Sequence, residues 1–194
     1  RESLVDTVLN GLGVPARHGI VAPGFSDYPY DTVPATSYDP ALARKLLAEA
    51  GYPGGQNFPS VHLQLNSDGS GYIRVASTVQ EMLARNLGVR VATTVLPAQQ
   101  HYARVEQGRA EFWREGWVVD HPDPENFLAL FYGKSVPSDT SQPSYLNSTR
   151  YTDTLYDKLF AQAQRAVATS ERMQLLALAE RKAMEDMVVV PLYH

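Results

Sequence analysis

The 194-residue chain has no cysteine, which excludes a disulfide scaffold, a thiolate metal site and a cysteine nucleophile. It also has no excess of positive charge. Lys and Arg number 17 against 21 Asp and Glu, giving a net charge of -4 and a sequence pI of ≈ 5.7. The basic residues are scattered singly among acids, and phosphate backbones require clustered ones, so nucleic acid is not an expected partner. Long hydrophobic runs are missing as well. A bilayer-spanning helix needs ~20 apolar residues, whereas the longest run here, Met187-Val188-Val189-Val190-Pro191-Leu192, is short and broken by proline. The chain opens on Arg1-Glu2-Ser3-Leu4-Val5, which reads as the interior of a helix and not as an export leader. The expectation is a piece of a longer protein, its signal sequence lying in the missing N-terminal part.

What is present is ordinary for a globular protein: 44% hydrophobic and 20% charged residues, enough for one domain or one large lobe. Residues 3–10 read as a helix end stopped by Gly11 and Gly13. Val14 to Tyr38 carries Pro15, Pro23, Pro29 and Pro34, which predicts a surface loop pinned by Phe25, Tyr28, Tyr30 and Tyr38. Asp39-Pro40 starts a helix, with the carboxylate as cap and proline at its first position. Alternating Val61, Leu63 and Leu65 predict a half-buried strand. A helix through Ile73, Ala76, Val79, Met82, Leu83 and Leu87 follows and ends at Gly88. Val89–Val95 reads as a second strand, Ala98–Gln107 as a helix and Glu111–Trp117 as a third strand. Strands alternating with helices predict an α/β architecture with a partly parallel sheet. A short helix near Pro124–Phe131, a helix through Leu155, Leu159, Phe160 and Ala163, a helix through Met173, Leu176, Ala177 and Met184 capped by Ser170, and a strand at Val188–Tyr193 complete the reading.

The densest polar segment, Gly116 to Phe127, falls at the carboxyl end of the third strand, the edge where open α/β sheets place their ligands. Two readings of it stand side by side. In one, Trp117 offers an apolar face and Asp120 a carboxylate, a pair suited to a ligand ammonium beside an apolar body. In the other, Asp123-Pro124 caps the next helix and Trp117 belongs to the core. Asp120 with Asp123 also forms the formal outline of a hydrolytic pair, without any other supporting residue. His18, His62, His101, His121 and His194 show no ligand spacing; His121 beside Asp123 reads as a solvated loop histidine, and no metal is expected. Gly69-Ser70-Gly71 lacks the rest of a phosphate loop and reads as a plain turn. No G-x-S-x-G elbow is present.

Several segments in order carry a family resemblance. Val8-Leu9-Asn10-Gly11-Leu12-Gly13-Val14-Pro15-Ala16, Tyr38-Asp39-Pro40-Ala41 with Lys45-Leu46-Leu47 and Glu49-Ala50-Gly51-Tyr52, and Gln80 to Val91 resemble the peptide-type solute-binding proteins of ABC importers, the extracellular solute-binding family 5. Gly116-Trp117, Asp120, Pro122-Asp123-Pro124 and Phe127 are similar to its ligand loop. Asn147, Arg150-Tyr151, Asp157 and Leu159, then Glu180, Met187 and Pro191-Leu192, match later patterns. The resemblance implies one lobe (residues 1–194, the C-terminal one, with the first lobe absent) of a two-lobed type II periplasmic-binding-protein fold, with a mixed sheet and flanking helices. It further implies a non-enzymatic component that captures small peptides and delivers them to an ABC permease. Such a protein is periplasmic or a membrane-anchored lipoprotein, monomeric, and without cofactor. Asp120 would meet the peptide α-ammonium and Trp117 would wall the site. Val118, Val119 and His121, in the same loop, would be further ligand-binding residues, and Asn147 would either reach the cleft or order its own loop. The alternatives are another solute within the family, a nickel complex or an oligosaccharide, or a hydrolase.

Overall fold

The computed structural model describes residues 1–34 and 37–194. Three parallel strands, β1 (Val61–Leu65), β2 (Val91–Val95) and β3 (Phe112–Trp113), form a sheet in the order β2-β1-β3. Val61 pairs with Val91 and Leu63 with Phe112. Helices α2 (Ser70–Leu87) and α3 (Ala98–Glu106) cross between the strands. Gly88, at φ 70°, closes α2 in the left-handed conformation that glycine adopts without steric cost. The pattern Val61-Leu63-Leu65 predicted one buried face, yet Gln64 is buried too, because β1 is the central strand. Its amide stays satisfied: it approaches His101 Nδ1 at 3.1 Å and accepts from Arg104 Nε at 3.0 Å.

Strand ends depart from the sequence pattern wherever a pairing partner runs out. β3 stops at Trp113 instead of Trp117, since Arg114 N–H to Gln64 O, at 2.9 Å, lies next to the end of β1 at Leu65. β2 begins at Val91 and not Val89, opposite the first residue of β1. The expected strand Val188–Tyr193 is only an isolated antiparallel bridge between Tyr193 and Pro15, flanked by mutual backbone bonds of Val14 with His194 and by Ala16 N–H to Leu192 O. Among the described residues the three strands pair in parallel, in keeping with the expected α/β architecture with a partly parallel sheet.

α1 (Pro40–Glu49) begins as its sequence dictates: Asp39 Oδ1 accepts from the N–H groups of Ala41 and Leu42 at 3.0 and 2.9 Å. The helix buries no residue, and Leu42 and Leu46 remain about half exposed. The larger apolar core lies away from the sheet. It joins α4 (Pro124–Leu128), α5 (Thr154–Ala163) and α6 (Thr169–Glu185) through Phe127, Leu128, Phe131, Tyr156, Phe160, Leu176 and Ala179. Full burial of side chains this size contributes about 1.5–3 kcal/mol each. Tyr156, wholly buried, donates its hydroxyl to Leu128 O at 2.6 Å and stacks on Phe160. α5 is capped by Asp153, whereas α6 starts at Thr169 behind Ala168, which has no side-chain acceptor; Ser170 lies inside the first turn and does not cap.

The proline-rich segment wraps this core as expected. Tyr28 is buried and Phe25 and Tyr30 half-buried, but Tyr38 is 70% exposed and pins nothing into the core. Ala35 and Thr36 of that segment lie outside the described residues. Its inner anchor is Glu180 on α6, a buried carboxylate accepting from Ile20 N–H (2.7 Å), Val21 N–H (2.8 Å) and the Tyr28 hydroxyl (2.5 Å).

Candidate ligand-binding site

β3 leaves the sheet at Trp113, and the chain continues without a partner strand before bending into α4. Glu115 steadies the exit by accepting from Trp113 Nε1 at 2.7 Å and from the Ser148 hydroxyl at 3.0 Å. The next residues open outward. Val118 is 87% exposed and Trp117 38% exposed, so the indole is not a core residue. Val119 turns the other way and packs on the helical core.

One buried amide holds the bend. Asn126, on α4, accepts from Trp117 Nε1 at 2.7 Å and from the Asp120 backbone N–H at 3.3 Å through the same Oδ1. Its Nδ2 faces Asp120 Oδ2 at 3.5 Å and His121 Nδ1 at 3.3 Å. The Asp120 carboxylate is thus touched only weakly and stays exposed. Among the described residues no cationic side chain lies within ion-pair distance of it.

Asp123 has the opposite fate. It caps α4 by accepting from Glu125 N–H at 2.8 Å, and Arg172 grips both its oxygens at 2.8 and 3.0 Å. Burial pushes its carboxyl up, but the Arg172 hydrogen bonds and the Glu125 N–H outweigh burial and hold it below the usual range. Asp123 is thereby committed to Arg172 and to the start of α4.

The structure brings Trp117, Val118, Asp120 and His121 to one exposed edge; Asn147 is not among them. Its side chain is 0% exposed and fully spent, donating to Tyr132 O and Tyr151 O and accepting from the Thr149 hydroxyl and Tyr151 N–H. It orders the 144–151 loop, the second of the two roles read for it from the sequence, and offers no free polar atom for the first. Sequence reasoning left Asn126 without a role, although a polar residue between Pro124 and Phe127 on a short apolar helix was a signal. Arg172 gave no signal, because its partners lie 49 and 47 residues away.

The sequence model of the family described as bacterial extracellular solute-binding proteins, family 5 Middle, matches residues 1–139. This chain belongs to that family. Among its curated relatives, the oligopeptide-binding protein OppA of Bacillus subtilis is 29% identical over 100% of this chain and 34% of its own length. The probable di/tripeptide-binding protein 5 of Pseudomonas aeruginosa is 30% identical over 100% of this chain and 35% of its own. A crystal structure of the periplasmic oligopeptide-binding protein OppAIV of Borrelia burgdorferi superposes with a TM-score of 0.83 at 29% identity, covering 99% of this chain and 36% of that one. The chain thus spans about a third of the length of the relatives it matches.

Proposed function

We propose that this chain is the C-terminal lobe of a peptide-capturing subunit of an ABC importer, with Asp120 receiving the peptide α-ammonium beside the Trp117 indole. The observation that carries the reading is an exposed carboxylate without a cation, set next to a half-exposed indole by one buried amide. An ammonium that leaves water needs a charge partner, while an indole face tolerates varied side chains. The names of the Bacillus and Pseudomonas relatives, which bind oligopeptides and di/tripeptides, support the solute class. In this reading the protein works outside the cytoplasmic membrane as a monomer, hands its cargo to a permease, and uses neither cofactor nor catalysis. The other lobe supplies the facing wall of the cleft.

The test is calorimetric titration of the full-length protein with a free-amine tripeptide and its N-acetylated form, in wild type and Asp120→Asn. A hydrogen bond to a charged group contributes about 1.5–3 kcal/mol, so the substitution weakens the free-amine peptide roughly 10- to 100-fold. The acetylated peptide is little affected. Equal affinity of wild type and variant for the free amine refutes the ammonium role.

A further inference from the structure

α4 is only five residues long, and a single turn does not hold itself in place by its own backbone bonds. Its beginning is gripped from α6. Arg172 Nη1 lies 2.8 Å from Asp123 Oδ2, while Nη2 reaches Asp123 Oδ1 at 3.0 Å and Glu125 Oε2 at 2.5 Å. Gln164, at the end of α5, secures the other Glu125 oxygen at 2.9 Å. The side chains of Arg172, Asp123 and Glu125 are 20%, 25% and 27% exposed. Charges this sheltered are screened less than surface pairs, and a planar fork fixes direction as well as distance. The next residue along is Asn126, whose Oδ1 receives both the Trp117 indole and the Asp120 backbone.

We propose that Arg172 is a positioning residue for ligand capture: its grip on Asp123 and Glu125 sets α4, and through the Asn126 amide it sets the indole and carboxylate of the site. The proposal rests on the reading of Asp120 as the partner of a ligand ammonium. It requires a guanidinium, because a lysine ammonium is a point charge that cannot span two carboxylates as a rigid fork.

The full-length protein, titrated with the free-amine tripeptide and its N-acetylated form, yields an affinity ratio. That ratio cancels any loss common to both ligands, such as a smaller folded fraction. Arg172→Met lowers the ratio at least about tenfold, the scale of one misplaced charge-assisted hydrogen bond. Arg172→Lys lowers it by a smaller factor, and the same comparison is made on that variant if the methionine protein does not fold. A wild type that fails to distinguish the two peptides overturns the Asp120 reading and this inference with it. A wild type that does distinguish them, with the ratio unchanged in the folded variants, overturns the positioning role alone.

Discussion

Glu180 shows how much a single side chain organises here. Ile20 and Val21 reach it through backbone N–H groups and Tyr28 through its hydroxyl, and a Cβ on Gly19 (φ 146°) would collide with it. Burial raises its carboxyl above the ordinary glutamate range, outweighing the donors from Tyr28, Val21 and Ile20 and the His18 field. An acid whose folded value is raised stabilises the fold fully below its unfolded value, and that contribution is lost as pH rises through the folded one. The lead of wild type over Glu180→Gln in urea unfolding is therefore larger at pH 5 than at pH 7.5, with a cost of about 1–3 kcal/mol from the mismatched Tyr28 hydroxyl. Taking the difference between two variants cancels the other titrating groups. A lead that grows toward neutral pH would show that the three donors, and not burial, govern this carboxylate.

Elements set by neighbouring residues were legible in the sequence, and those set by distant partners were not. Asp39-Pro40 opens α1 and Gly88 closes α2 through bonds within a few residues. The end of β3, by contrast, is decided by where β1 stops, roughly fifty residues earlier in the chain. The candidate site divides in the same way. Trp117 and Asp120 could be read from one short polar segment, but Asn126 acquires its role only when the chain bends back, and Arg172 only when α6 packs on α4. Local determination has an energetic counterpart in α1, which buries nothing and depends on its cap. Asp39→Ala speeds amide exchange at Ala41 and Leu42 and costs at most about 1 kcal/mol of global stability. Phe160→Ala, in the shared core, costs about 3–5 kcal/mol. Equal effects of the two substitutions on the unfolding midpoint would contradict this division.

At the scale of the whole chain there are two separate apolar clusters: a small one under the sheet around Leu63, Leu65 and Ala76, and a larger one among the helices. Trp117 and Val118 follow β3 and Asn126 lies on α4, so the polar edge sits on the segment that links the sheet to the helical core. That edge faces solvent, with Val118 87% and Trp117 38% exposed. An ammonium 4 Å from a carboxylate gains about 1 kcal/mol when fully open to water but about 4 kcal/mol at the effective dielectric of about 20 that suits a site enclosed by protein. The difference of about 3 kcal/mol is on the order of a 100-fold change in affinity. If the chain is one lobe of a peptide-capturing protein, as proposed, residues 1–194 alone bind a free-amine tripeptide at least about 100-fold more weakly than the two-lobed protein, and the remaining affinity falls as salt is raised because the charge pair stays open to counterions. Calorimetry on both proteins at two ionic strengths measures this. Nanomolar, salt-insensitive binding by the fragment would mean that one wall suffices, and capture would then depend on contacts within this lobe and not on closure over Asp120.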